Sequence, residues 1–424
     1  MATTLRTRLG VAAGQLAGGL SRGLGRGAGA TLPGRVTLAI APGALAELAA
    51  GRTSIVITGT NGKTTTTAFL VAALEGDDAA VVTNTTGANL PTGIVAALAT
   101  SDAPLAVLET DELHVPAVVR AVHPSTLVLL NLSRDQLDRT HEVRRAADLW
   151  RTTIAEADRP LTVIANAADP NIAYALLDGA ATDTTPVWVD GGLRWFGDAE
   201  LCPRCGLLLT VDDEAWHCTC GLRQPDADFA VGGNAAAGFR LRLPDGSDLA
   251  LAPALPGAAN VSNAAFAIAA ATTCGVDASV AADRLAAIDD VAGRYARIPL
   301  GSGSGTRPAR MLLAKNPAGW TVSLDLIGPE AVVALGVNAR LQDGTDTSWL
   351  WDVPFERLAG RTVGVFGDRA ADLELRLRHA GVDTVRAPGR GNVADAHTLA
   401  DDLPPGDLTV LATYTAFQEV RRGG

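Results

Sequence analysis

Eight residues, Thr58-Gly59-Thr60-Asn61-Gly62-Lys63-Thr64-Thr65, combine two glycines, a lysine and a cluster of hydroxyls. Glycines let backbone N–H groups approach phosphate oxygens. A helix opening at Lys63 adds the positive end of its dipole, and the lysine amine reaches the outer phosphates. A hydroxyl such as that of Thr64 can hold Mg²⁺ beside them. The expected chemistry is binding of ATP with Mg²⁺ by Gly59, Thr60, Asn61, Gly62, Lys63, Thr64 and Thr65. The generic pattern places a glycine five residues before Gly62, where this chain has Ile57, so the match is incomplete. A glycine-rich turn without a ligand is the competing reading. The apolar stretch before the loop and the helical pattern after it speak against that.

A second constellation is Cys202-Pro203-Arg204-Cys205 and Cys218-Thr219-Cys220, a C-x2-C-x12-C-x-C spacing with Gly206 and Gly221 after its halves. Four thiolates suit a closed tetrahedral Zn²⁺ site of the structural kind. A disulfide pair competes and fits poorly with a cytoplasmic chain. His217 could replace one cysteine, and the close C-x-C spacing leaves the fourth ligand open. Cys274 lies in an Ala-rich helical stretch and reads as a core residue.

Of 35 Lys and Arg residues only Lys63 and Lys315 are lysines. In a chain so strongly biased to Arg, a retained lysine marks a place that calls for a compact point charge, with chance survival as the alternative. A net charge of −11 argues against nucleic acid as the main partner. The first 46 residues have no acidic side chain and carry Arg6, Arg8, Arg22, Arg26 and Arg35. Glycines break their apolar run, which therefore does not read as a secretory signal. No apolar run reaches the ~20 residues of a transmembrane helix. The expected location is cytoplasmic, with residues 1–45 a basic arm, either solvated or lying on a membrane surface.

These residues need a scaffold, and 424 residues imply two or three domains. Strands are expected at 54–58, 80–83, 105–109, 126–131 and 161–166, with helices between them at 64–74 and 142–156. Such alternation implies a parallel sheet covered by helices. It stops near Trp195, where a cysteine-rich insertion of about residues 195–226 begins. Helices return at 260–274 and 278–288, and Gly301-Ser302-Gly303-Ser304-Gly305 reads as a linker. Beyond it, strands near 332–337, 362–366 and 408–412 and a helix at 371–379 form a second α/β unit. The expected domains are an arm over 1–45, an ATP-binding domain over 46–298 and a smaller α/β domain over 306–424. Glu109 and Asn131 end predicted strands, where open α/β sheets bind ligands.

The loop from Gly59 to Thr64 resembles that of the Mur ligases and the related folylpolyglutamate synthetases. Asn131-Leu132-Ser133-Arg134-Asp135-Gln136-Leu137-Asp138 resembles the family's Asn…Asp-His-Leu-Asp segment. Leu255 to Asn263 resembles its Gly-x-x-Asn-x-x-Asn segment, and Gly293-Arg294 the Gly-Arg that ends the central domain. The resemblance implies the Mur ligase fold, with Glu109 joining Thr64 as a Mg²⁺ ligand and Asn263 and Arg294 joining the nucleotide site. Two departures stand out. The family's histidine is Gln136, and the lysine that many Mur ligases carbamylate has no counterpart among Lys63 and Lys315.

The cysteine insertion, together with Leu313-Ala314-Lys315-Asn316-Pro317-Ala318-Gly319 and Asp343-Gly344-Thr345-Asp346-Thr347-Ser348-Trp349-Leu350-Trp351-Asp352, resembles the amidating branch of the family. Its members act on lipid II at the inner membrane face, paired as a heterodimer with a GatD-like glutaminase. The resemblance implies phosphorylation of the D-glutamate α-carboxyl of the stem peptide, followed by attack of ammonia to give D-isoglutamine. It implies catalytic parts for Lys63 and Glu109, and for Asp346 that of an acid lent to a histidine of the glutaminase. Asp343 and Asp352 lie close enough to be mistaken for it, and Trp349 and Trp351 suit an exposed interface. Lys315 is expected to face the interdomain cleft and neutralise ATP or the acyl phosphate. Two other functions compete: a ligase that adds an amino acid to a carboxylate, and a non-catalytic ATP-binding scaffold.

Overall fold

A computed structural model describes residues 3–23, 31–75, 80–84, 88–133, 142–193, 199–212, 215–288, 295–302 and 305–423. They divide into two compact units, one holding the residues through Ser133 and from 142 to 288, the other those from Tyr295 onward.

Aliphatic and β-branched runs supply the strands of the first unit. They are β1 (Thr53–Thr58), β2 (Val81–Thr83), β3 (Leu105–Glu109), β4 (Thr126–Leu129), β5 (Leu161–Asn166) and β6 (Thr184–Asp190). Ile55, Val56 and Ile57 are buried in succession, as a strand covered on both faces requires. The helices between and after them are α4 (Lys63–Leu74), α5 (Pro91–Leu98), α6 (Val115–Val122), α7 (Glu142–Ala155), α8 (Pro170–Leu177), α9 (Ala258–Thr273) and α10 (Ala278–Ala286). The strand order β6-β5-β4-β1-β3-β2 is parallel throughout. It reverses direction around β1, and the register Ile57↔Glu109 and Thr58↔Leu129 brings three carboxyl ends together. In open α/β sheets that crevice is where ligands bind.

Where the sequence pattern changes near Trp195, the sheet does not end. Residues 194–198 lie outside those described. The hairpin of β7 (Thr210–Asp212) and β8 (Ala215–His217) forms the cysteine-bearing insertion. Then β9 (Phe229–Asn234), β10 (Gly238–Arg242) and β11 (Asp248–Leu251) extend the sheet beyond β6 to nine strands. These strands are largely exposed, and β9 carries two glycines in its interior, so no apolar run marks them.

The described residues of the basic arm are packed on the first unit rather than free. Leu5–Gly23 forms helix α1, which packs on α2 (Leu32–Ile40). Gly10 and Gly14 line the contact, and a Cβ at Gly14 would stand 2.3 Å from the Pro33 carbonyl oxygen. The Thr37 hydroxyl donates to the Gly10 carbonyl at 3.2 Å. Glu47, in α3 (Ala44–Ala49), accepts the Thr4 backbone N–H at 2.8 Å and ties down the start of α1.

In the second unit, β12 (Tyr295–Leu300) pairs antiparallel with β13 (Arg307–Leu313). The parallel strands β17 (Leu408–Ala412), β14 (Val332–Gly336), β15 (Thr362–Phe366) and β16 (Asp383–Arg386) follow β13 in that order across the sheet. Its helices are α11 (Pro317–Asp325), α12 (Ala370–His379), α13 (Asn392–Asp402) and α14 (Tyr414–Gly423). The stretch from Gly301 to Gly305, read as an interdomain linker, joins two paired strands of this one unit instead, with residues 303–304 outside those described. Composition alone does not distinguish a hairpin loop from a linker, since both favour Gly and Ser. The expected boundary at 298 accordingly falls within β12.

Candidate active site and metal centre

The loop after β1 is built by close approach. Gly59 has φ 145°, and a Cβ there would meet Leu130 Cβ at 2.9 Å and Asn131 N at 3.0 Å. Gly62 caps α4 at φ 87°, and a Cβ there would stand 2.4 Å from Asn263 Oδ1. Only glycine combines these dihedrals with these contacts. Asn131 clamps the loop from β4: its Oδ1 accepts Asn61 N–H at 2.9 Å and its Nδ2 donates to the Asn61 carbonyl at 3.0 Å. Its own carbonyl accepts Thr60 N–H at 2.9 Å. The Thr60 hydroxyl accepts Ser133 N–H at 3.0 Å and donates to the Ser133 carbonyl at 3.1 Å.

Lys63 is buried, 6% exposed. Its amine donates to the Gly59 carbonyl, to the Thr60 carbonyl at 3.2 Å and to Glu112 Oε2 at 3.1 Å. The Thr64 hydroxyl donates to Glu109 Oε2 at 2.9 Å. Glu109 is 1% exposed, and Asn84 holds its backbone from both sides: Oδ1 accepts the Glu109 N–H and Nδ2 donates to its carbonyl, each at 2.8 Å. A buried carboxylate and a hydroxyl within hydrogen-bond distance are hard oxygen donors, the set Mg²⁺ takes. Asn263, on α9, accepts the Thr66 hydroxyl at 3.3 Å and borders Gly62. The loop, Lys63, Thr64, Glu109 and Asn263 therefore converge. Thr65 is buried in the first turn of α4. Gly293, Arg294, Gln136 and Asp138 lie outside the described residues.

Two residues of this cluster escape a reading from spacing: Glu112, the ion partner of Lys63, and Asn84, the brace of Glu109. Glu112 lies three residues beyond Glu109 in an acidic turn that resembles any solvated loop. Its carbonyl accepts the Trp150 indole N–H at 2.9 Å, which fixes that turn to α7.

The four cysteines of the insertion place their Sγ atoms within 4.8 Å of one another. Cys202 Sγ is 3.6 Å from Cys220 Sγ, and Cys205 Sγ is 3.5 Å from Cys218 Sγ. Tetrahedral thiolates at Zn–S distances near 2.3 Å lie about 3.8 Å apart, so the donor set fits one Zn²⁺ with no position left for substrate. Gly206 and Gly221 take positive φ, 77° and 89°, in the turns after Cys205 and Cys220. His217 stands apart from the cluster, with Nδ1 3.3 Å from Asp212 Oδ2. Cys202, Cys218, Leu222 and Trp216 join the core of the first unit, and Arg204 pairs with Asp178 at the end of α8, Nε to Oδ2 at 2.8 Å.

In the second unit Lys315 follows the carboxyl end of β13, exposed, with its amine 5.1 Å from the centre of the Tyr414 ring. Next to it Asn316 caps α11, accepting Gly319 N–H at 2.8 Å. The two nearby aspartates differ. Asp343 is buried and accepts the Thr415 N–H at 2.8 Å, the Thr415 hydroxyl and the Arg340 N–H, a structural anchor. Asp346 is half-buried, and Oδ1 accepts the Ser348 N–H at 2.8 Å. Hydrogen bonds from the Ser348 backbone and side chain hold its carboxyl below the usual carboxylate range. Of the two tryptophans expected at an interface, Trp349 is in the core against Trp320, because the short 3₁₀ turn Ser348–Asp352 directs Trp349 and Leu350 inward and leaves Ser348, Trp351 and Asp352 outside. Trp351 is exposed, beside His379 and Arg376.

Residues 57–188 match the Mur ligase middle domain, and residues 313–417 match the MurT ligase C-terminal domain. The chain is 30% identical over 384 residues to the lipid II isoglutaminyl synthase (glutamine-hydrolyzing) subunit MurT of Staphylococcus aureus, covering 84% of each. It is 30% identical over 426 residues to the subunit of the same name from Streptococcus pneumoniae, covering 93% of this chain and 92% of that one. The chain belongs to the MurT family. Solved structures agree on the fold. A pseudomurein peptide ligase type C from Methanothermus fervidus has a TM-score of 0.68 at 18% identity, covering 88% of this chain and 78% of its own. MurF from Acinetobacter baumannii has a TM-score of 0.64 at 17% identity, covering 92% and 80%. The fold is the Mur ligase α/β architecture with a second α/β unit. Among the described residues no helix is long and apolar enough to cross a membrane.

Proposed function

We propose that the chain is the synthetase subunit of a lipid II isoglutaminyl synthase, an ATP-dependent carbon–nitrogen ligase of peptidoglycan synthesis. The observation that carries this is the buried Lys63–Thr64–Glu109 group at the switch point of the sheet, in a chain of the MurT family. A carboxylate is a poor electrophile, so amide formation needs a leaving group. The α-carboxylate of D-glutamate attacks the terminal phosphorus of ATP and ADP departs. Ammonia then adds to the acyl carbon, phosphate leaves, and a proton passes to solvent.

The parts assigned to residues follow from charge and reach. The N–H groups of the loop from Gly59 to Thr65 would receive phosphate oxygens, with Lys63 on the outer ones. Thr64 and Glu109 would hold Mg²⁺, which supplies charge stabilisation to the transferring phosphoryl group. Asn263 would border the nucleotide, and Arg294 and Lys315 are assigned to it from the family pattern. The cysteine cluster would hold Zn²⁺ for stability alone, since four thiolates complete its coordination.

Ammonia would come from a GatD-like glutaminase subunit. Asp346, anionic at neutral pH, is suited to accept a hydrogen bond from a histidine of that subunit and orient it, as the acid of a triad does. The test is co-purification with such a glutaminase, followed by mass spectrometry of lipid II incubated with ATP, Mg²⁺ and glutamine. Amidation, a loss of about 1 Da per stem peptide as hydroxyl becomes amine, is expected. Addition of an amino-acid residue mass would instead identify an ordinary ligase, and ATP binding without turnover a scaffold.

A further inference from the structure

Helix α1 leaves a row of leucines uncovered. Leu5, Leu9, Leu16 and Leu20 are 73%, 58%, 71% and 70% exposed. At 100° per residue they fall within an arc of about 60°. The opposite face carries Thr7, Gly10 and Gly14 and is the one packed on α2. The helix thus has two apolar faces, one used by the fold and one presented outward. Arg6 and Arg8 flank the leucine row on its two sides, both exposed. The first acidic residue of the chain is Glu47, although the whole chain has a net charge of −11.

We infer that this face of α1 docks the chain on an anionic lipid bilayer, with the leucines in the acyl boundary and the arginines at the headgroups. Charge complementarity selects the occupant. An acidic protein that keeps acids out of one 46-residue stretch keeps that stretch compatible with an anionic surface. The face offers only aliphatic side chains, without the aromatic anchors that protein interfaces favour. At about 28 Å for 19 residues, α1 has the size of an interfacial helix, and it is too polar to span. The α1–α2 packing forms the helix beforehand, so docking does not bear the cost of ordering it. This deepens the proposed function and rests on it for its purpose: a substrate carried on a lipid would be met at the surface where it resides.

The experiment is co-sedimentation of the full chain with vesicles of neutral phosphatidylcholine, alone or mixed with phosphatidylglycerol. Wild type is expected to partition onto the mixed vesicles, weakly onto neutral ones, and less as salt rises. The double variant Leu9→Gln/Leu16→Gln should lose about tenfold in partitioning, since it removes half of the apolar row. Both positions are solvent-exposed, so fold and zinc content should be unchanged. Arg8→Gln should weaken the preference for anionic vesicles and leave the fold unchanged, whereas Arg6→Gln, which also removes the Arg6 Nε bond to the Ile40 carbonyl, is read beside its melting curve. With ammonium as nitrogen source, the leucine variant should amidate a short-chain, water-soluble lipid II analogue like wild type and fall behind on vesicle-borne lipid II. Equal sedimentation of wild type and leucine variant overturns the inference, whatever the amidation result. Stripe-dependent binding without any amidation upholds it and overturns the functional reading instead. Loss of glutaminase co-purification in the leucine variant, with vesicle binding intact, would make the face a protein interface and also overturn it.

Discussion

Lys63 occupies a position where a charge must always have company. Its amine faces two loop carbonyls and the Glu112 carboxylate. A nucleotide would add phosphate oxygens to that set, and a flexible ammonium can serve both. Arg would not substitute, because a planar fork cannot turn between them in so closed a space. Lys63→Ala is expected to lower ammonium-driven amidation by at least about 100-fold, the scale on which removing one stabilising charge acts. Its fold and zinc content should be kept, while its melting temperature drops, because Glu112 loses its ion partner. ADP release and metal analysis on one preparation check both halves, and near-normal turnover would remove the catalytic assignment. Gly62→Ala tests the loop backbone. The new methyl collides with Asn263 Oδ1, and the left-handed backbone costs a further 1–2 kcal/mol, roughly. The expected result is a raised KM for ATP and a lowered melting temperature, whereas Gly206→Ala, at an exposed knuckle with open space around it, should leave KM alone.

At the scale of elements, the strands that hold the site were legible because they are short, apolar and bounded by turn residues. The pattern over 105–109 and 161–166 matches β3 and β5 residue for residue. The loop was legible because its glycines and lysine perform backbone chemistry that few other residues can. What hid was what depends on long-range pairing. Strands β9 to β11 are largely exposed, and β9 carries two glycines in its interior, so no apolar run announces them. Glu112 and Asn84 act through partners 49 and 25 residues away, a distance no local pattern encodes. Trp349 looked like a surface anchor because the 3₁₀ geometry of its turn cannot be read from a polar neighbourhood. The cysteine insertion was readable as a donor set, yet its role as part of the core was not. Cys202, Cys218 and Trp216 pack with the sheet, so zinc loss should be felt beyond the hairpin. Purified under reducing conditions, the chain should contain about one Zn²⁺. Cys205→Ser, or chelation of wild type, should lower the melting temperature before it changes kcat, since metal binding and local folding are coupled. Metal analysis without zinc would end this assignment.

For the whole molecule, two activities are proposed to meet in one complex, and Asp346 separates them. It lies in the second unit, while Lys63, Thr64 and Glu109 lie in the first. Its carboxyl is held below the usual range by Ser348, so its charge is kept as pH falls through the ordinary carboxylate range and is lost only in more acid solution. Asp346→Asn keeps the size and removes the charge. The complex should still form, glutamine-dependent amidation should fall by about 10³- to 10⁴-fold as in triads that lose their acid, and ammonium should restore product. Lys63→Ala should not be rescued by ammonium, because no ammonia source replaces a missing phosphate contact. Asp343→Asn supplies the control for mere structure. Its carboxylate is buried among Thr415 and Arg340 donors, so the change should cost roughly 1–3 kcal/mol of stability and lower both reactions together. Paired assays with glutamine and with ammonium, on the three variants beside their melting curves, distinguish these outcomes. If Asp346→Asn lost the ammonium reaction as well, with ATP binding impaired, the residue would belong to the synthetase chemistry, and the acid serving the glutaminase would have to come from elsewhere in the complex.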